Sequence, residues 1–102
     1  GDAKRSEDAY RRVVGIDPFD RDAQAAYGRL ALQRKDNDTA QRAFRAALAS
    51  NPSDRAQAHV DLAEAYVAAG QVPEAKKEIL AALEIAPSFE RAQDLLLKVV
   101  EP

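Results

Sequence analysis

The sequence predicts an all-α chain of stacked antiparallel helix pairs, with about six helices and no sheet. Three observations carry this expectation. Proline closes three similar segments, Ile16-Asp17-Pro18, Ser50-Asn51-Pro52 and Ile85-Ala86-Pro87, at separations of 34 and 35 residues. Self-similarity at such a period marks one supersecondary unit repeated along the chain. Apolar residues recur at helical spacing: Tyr27, Leu30 and Ala31 fall at i, i+3 and i+4, and so do Ala40, Ala43 and Phe44, with Ala47 and Leu48 a turn further on. No stretch alternates apolar and polar residues over the length of a strand.

Each unit reads as two helices. The first helices are expected over about Arg21–Gln33 and Arg55–Ala69, the second over about Asn37–Ser50 and Pro73–Ile85. Asp20, Asp36 and Asp54 stand where an N-cap is needed, since a short carboxylate accepts the unpaired amide hydrogens of a first turn. Asp54 and Gln57 have capping-box spacing. Pro73 suits a first turn, where no amide hydrogen is missed. Gly70 suits the left-handed residue that ends a helix. Lys35 holds the equivalent position one repeat earlier and must bear that conformation at some cost.

The alignment on the prolines extends to the packing residues. Ala46-Ala47-Leu48 falls on Ala81-Ala82-Leu83, Ala40 on Ala75 and Phe44 on Ile79, with Arg55 as one extra residue in the second connection. Upstream, Ser6 takes the place of Ala40 and Tyr10 that of Phe44, so residues 4–15 read as the second helix of a unit without its first. Downstream, residues 89–100 read as a first helix that closes the stack. Residues 1–102 are thus one domain: a lone helix, repeats at 21–52 and 55–87, and a capping helix. Gly1 and the abrupt start Asp2-Ala3-Lys4-Arg5 lead to the expectation of a fragment from a larger protein.

Composition narrows the function. The net charge of -2 gives no global drive toward nucleic acid or an anionic membrane. With no cysteine there is neither disulfide nor thiolate chemistry, which leaves the compartment open between cytoplasm and periplasm. No apolar run is long enough to span a bilayer, and no signal-peptide core is present. The alanine- and arginine-rich usage points to a bacterial source.

These residues together resemble the tetratricopeptide repeat (TPR) family. In the second unit Leu62-Ala63, Tyr66, Gly70, Ala75, Ile79, Ala82 and Pro87 sit at the family spacing; the first has Tyr27-Gly28, Ala40, Phe44, Ala47 and Pro52, with Ala31 and Lys35 departing from an aromatic and a glycine. The resemblance implies a right-handed solenoid in which small Gly28 and Ala63 let the second helix approach closely, opposite Ala40 and Ala75. Its motifs describe packing and say little about function.

The resemblance also implies a concave side lined by first helices, and with it a protein or peptide partner. Carried onto this chain, that face holds Ala25, Arg29, Leu32, Gln57, Val60, Asp61, Glu64, Val67, Arg91, Asp94 and Lys98, joined by Leu95. Its mixed apolar and charged character suits an extended peptide or a helix. The competing expectation is an ordinary solvated face on which Arg29 and Glu64 merely pair. One subtype of the family grips acidic chaperone tails with a clamp of Lys and Asn residues. Here Ala25, Arg29 and Asp61 stand at three clamp positions, and Asp61 repels an incoming carboxylate, so that ligand is rejected.

No catalytic, cofactor or metal site is expected, and the domain is not expected to be an enzyme. His59 is the only histidine and lacks partners at ligand spacing, so it is expected to pack partly between helices. The acid pair Glu7-Asp8 is expected on open helical surface. The four glycines are scattered and form no phosphate loop. A basic stripe of Arg11, Arg12, Arg42, Arg45, Lys76 and Lys77 is diluted by acids, which argues against nucleic acid. The lone N-terminal helix lacks its partner and leaves Tyr10 and Val14 partly exposed, which suits a monomer or a weak homodimer through the terminal helices, or an accessory role in a larger, possibly enzymatic, protein.

Overall fold

The computed structural model describes residues 2–50 and 54–100. They form six helices: α1 (Asp2–Ile16), α2 (Arg21–Gln33), α3 (Asn37–Ala49), α4 (Arg55–Ala68), α5 (Val72–Ile85) and α6 (Glu90–Val100). No strand occurs among the described residues. Each expected helix is present, and α1 runs through Gly15 to Ile16, beyond the expected 4–15 span. The turn assigned to Asn51-Pro52 lies outside the described residues.

The helix starts are made as the sequence predicts. Asp20 Oδ1 accepts from the Ala23 amide at 3.0 Å, Asp36 Oδ1 from Thr39 at 3.3 Å and Asp54 Oδ1 from Gln57 at 3.0 Å. The capping box at Asp54 is only half built: among the described residues the Gln57 side chain returns no bond. Pro73 lies in the first turn of α5, which has no side-chain cap.

The ends of α2 and α4 share one geometry. Lys35 has φ 65° and Gly70 has φ 74°. At α2 the Asp36 amide donates back to Ala31 O at 2.9 Å and the Lys35 amide to Leu32 O at 3.0 Å. At α4 the Gln71 amide donates to Tyr66 O at 2.8 Å and the Gly70 amide to Val67 O at 3.0 Å. This pair of bonds satisfies two last-turn carbonyls in each helix.

Packing follows chain order. α2 pairs with α3 and α4 with α5, while α3 joins α4 and α5 joins α6. The first helices also touch in a row, α2 against α4 and α4 against α6. Two core clusters result. Ala31, Ala40, Phe44, Leu62, Ala65, Tyr66 and Ala75 form one; Ala56, Val60, Ala63, Ile79, Ala82, Ala92 and Leu95 form the other. Alanine dominates both because small side chains let helix axes come close.

Gly28 lets α3 come close as expected, and one packing expectation changes. A Cβ at Gly28 would lie 2.7 Å from Phe44 Cε1, so the small residue there makes room for the Phe44 ring. Glu7, expected on open surface, is only 2 % exposed. Arg34, the C-cap of α2, holds it: Nε and Nη2 contact the two carboxylate oxygens at 2.6 and 2.7 Å. This fork-on-fork pairing explains how a carboxylate lies under α2. Its neighbour Asp8 stays half exposed and pairs with Arg11 at 3.5 Å.

Candidate functional site

The row α2, α4, α6 presents one shared face, and its centre is Asp61. That side chain is 7 % exposed and carries two arginines from different helices. Arg91 of α6 contacts Asp61 Oδ1 at 2.8 Å, and Arg29 of α2 approaches Oδ2 at 3.7 Å. Arg91 also reaches Glu64, one turn along α4, at 3.0 Å. Burial opposes the charge on Arg91, but bonding and attraction from Asp61 and Glu64 outweigh it and raise its pKa above the ordinary value. The expected pairing of Arg29 with Glu64 is therefore replaced: Arg29 goes to Asp61, and Glu64 to Arg91.

Beside this cluster lies a groove of about 470 Å³ between α1, α2, α3 and α4. Its apolar lining comes from Tyr10, Ala25, Ala26, Phe44, Ala47 and Ala58. Its polar rim comes from Arg21, Asp22, Arg29, Asp54, Gln57 and Asp61. An apolar floor with a few placed charges is the usual make-up of a peptide-holding cleft.

The structure separates the predicted face into five groups. Ala25, Arg29, Gln57 and Asp61 line the groove. Glu64 and Arg91 form the ion cluster. Leu32 and Val67 are half-buried against the first core cluster. Asp94 and Lys98 are exposed on α6, outside the groove lining. Val60 is a correction: it is fully buried in the second core cluster and has no surface to offer a ligand. Leu95 is likewise buried there. A helix flanked on both sides, as α4 is, buries more than one stripe, which the pattern of a single exposed face does not anticipate.

The groove residues that sequence reasoning missed come from second helices and from the starts of first helices: Tyr10, Phe44, Ala47, Arg21, Asp54 and Ala58. The signal for Tyr10 was present, because it stands in the Phe44 position of a unit with no partner helix over it.

The remaining candidates are engaged in packing. His59 Nδ1 lies 2.9 Å from Glu78 Oε1, both side chains about 15 % exposed, across the α4–α5 pair. Two of the six basic residues expected on the outer helices are held by tyrosines. Arg11 Nε donates to Tyr27 Oη at 3.4 Å, and Arg45 Nη2 donates to Tyr66 Oη at 3.1 Å with its guanidinium 5.7 Å from the ring centre. Among the described residues no helix is long and apolar enough to cross a membrane.

No curated protein matches the chain. Among solved structures, a variant of the O-GlcNAc transferase of Thermobaculum terrenum superposes with a TM-score of 0.85 at 32% identity. The match covers 98% of this chain and 19% of the transferase, so the chain spans about a fifth of that protein. The family model described as Tetratricopeptide repeat matches residues 31–99. That span takes in α3 to α6 almost whole, and with them the Ala40/Ala75 and Phe44/Ile79 correspondences of the repeat. The repeat period, the paired helices and the family match agree: this chain belongs to the tetratricopeptide repeat family.

Proposed function

We propose that this domain binds a peptide or a segment of a partner protein in the groove between α1, α2, α3 and α4, and that it acts by binding and not by catalysis. Tetratricopeptide repeats are in general protein-interaction modules. The observation that carries the finer reading is the groove itself, with an apolar floor of Ala25, Ala26, Phe44 and Ala47 beneath a rim of charges. Asp61 is already neutralised by two arginines, so the groove has no free clamp for an acidic tail. The ligand is then read by apolar contact, and rim charge sets its direction.

The test uses peptides selected from a random display library on the domain. Ala25→Arg fills the groove wall, and Lys77→Glu alters the outer face of α5 as a control. Loss of binding by about tenfold or more, roughly 1.4 kcal/mol, in the first variant alone supports the groove. Loss in the control alone moves recognition to the outer helices.

A second reading makes the domain an accessory part of a larger, enzymatic protein. It is favoured by the match to one fifth of a transferase. A catalytic domain encoded in the same reading frame supports it, and a frame without one removes it.

A further inference from the structure

We propose that a second cleft, formed by the α2–α3 pair and bordered by α1, seats a glutamate side chain of a partner protein segment, at the place where the next repeat seats a glutamate of its own. The cleft has a volume of about 310 Å³ and shares no residue with the groove. Six of its seven lining residues belong to α2 and α3, so it is a feature of a complete helix pair. It exists because the two complete pairs differ at two positions. In the register that sets Lys35 on Gly70 and Phe44 on Ile79, Gln24 falls on His59 and Ala43 on Glu78. In the α4–α5 pair, His59 Nδ1 and Glu78 Oε1 lie 2.9 Å apart, and this bridge closes the space between the helices. In the α2–α3 pair the methyl group of Ala43 stands where that glutamate would be, and Gln24 Nε2 donates to Pro18 O at 3.0 Å. A guest carboxylate therefore completes an arrangement that the chain builds for itself one repeat further on.

Charge selects an acid over a neutral guest. Glu74 and Glu78 of α5 are replaced on α3 by Thr39 and Ala43, while the base Lys77 is kept as Arg42. Arg42 is exposed in the cleft wall and enters no ion pair among the described residues. Asp36 feels its charge, but the Asp36 oxygens are taken by the Thr39 amide and by Arg34. Arg11 brings a second guanidinium to the cleft, donating to Tyr27 Oη at 3.4 Å. Val14, Ala46 and the Tyr27 ring supply the apolar wall that the methylenes of a glutamate need. One small seat beside two arginines fits a single side chain, whereas a nucleic-acid strand is held by a basic track along several phosphates.

The experiment follows the amide resonances of the isotope-labelled chain by NMR. The probes are the capped peptides Ser-Leu-Glu-Leu-Ser and Ser-Leu-Gln-Leu-Ser, added to about 5 mM, a range chosen for one seated side chain. The glutamate peptide is expected to shift the Gln24 side-chain amide and the backbone amides of Thr39 and Ala43, and the glutamine peptide to bind about tenfold more weakly. Arg42→Glu, at an exposed position, is expected to abolish the shifts. Gln24→His combined with Ala43→Glu rebuilds the bridge of the next repeat and is expected to abolish them too, with a thermal melt checking that both proteins fold. Ala25→Arg, in the groove, is expected to change nothing, which keeps this result separate from binding there. Equal affinity for the two peptides, no shift from either, or binding retained in Arg42→Glu overturns the proposal. Shifts confined to Ala25 and Ala58 also overturn it, because they place the peptide in the groove. So does a stronger response of the cleft amides to oligothymidylate than to the glutamate peptide, which is the result for a nucleic-acid site.

Discussion

Gly28 and Phe44 set the spacing of the α2–α3 pair. A methyl group on Gly28 would enter the Phe44 ring at 2.7 Å, and that ring, 2 % exposed, can shift only toward the groove it lines. Two effects oppose each other in Gly28→Ala. Helix propensity favours alanine by about 1 kcal/mol, while overpacking costs about 1–3 kcal/mol. Clash is expected to win, so the urea midpoint should fall by the equivalent of about 1 kcal/mol. Adding Phe44→Leu tests the cause, because removing the ring should make Gly28→Ala neutral or favourable in that background. Lys35 gives the opposite case. Its φ of 65° costs a side-chain-bearing residue about 1–2 kcal/mol. Lys35→Gly is therefore expected to raise stability by about 1 kcal/mol after glycine's greater unfolded freedom is counted. Thermal melts of the single variant check this, with Gly70→Ala moving the other way.

Among the helices, the caps and the ion cluster do different work. Asp36 starts α3, and its pKa lies below the ordinary carboxylate value, first because its side chain bonds Thr39, then through the charges of Arg34 and Arg42. A lowered folded pKa means the stabilisation is present above the ordinary carboxylate range and is lost as pH falls through the folded value. Asp36→Asn keeps a capping side chain but does not titrate. Its stability should decline less steeply than the wild type between neutral pH and about pH 2, read from urea midpoints at each pH. Asp61 works between helices, tying α2 and α6 to α4. Asp61→Ala should cost about 2 kcal/mol, less than a fully buried pair because both arginines keep solvent access and Arg91 keeps Glu64. Arg91→Ala should then cost much less in the Asp61→Ala background than alone, which a double-mutant cycle measures. The caps were legible in the sequence because they are local: Asp20, Asp36 and Asp54 act on amides three residues away. The cluster was legible only as a set of charges on one face. Which arginine meets which carboxylate depends on how far α2 and α6 stand from α4, and no spacing along the chain encodes that. Glu7 was misplaced for the same reason, since Arg34 lies 27 positions away.

At the scale of the whole molecule, stability is shared between neighbours along the stack, as in any repeat array. The middle helix has the most neighbours. α4 packs against α2, α3, α5 and α6, and it contributes residues to both core clusters. α1 packs on α2, and its outer face, with Ser6, Ala9 and Val13, is exposed. α6 buries Ala92 and Leu95 but leaves Leu97 and Val100 more than half exposed. Fraying is thus expected from both ends toward α4, because opening α1 breaks one set of contacts, opening α6 breaks two and opening α4 breaks four. Native-state hydrogen exchange reads this directly. Amides of Leu62, Ala63 and Tyr66 should exchange slowest, with α1 and the last turns of α6 fastest. Equal protection across all six helices would mean that the domain opens as one unit, and that Asp61 and the two alanine-rich clusters couple the helices more tightly than nearest-neighbour packing does.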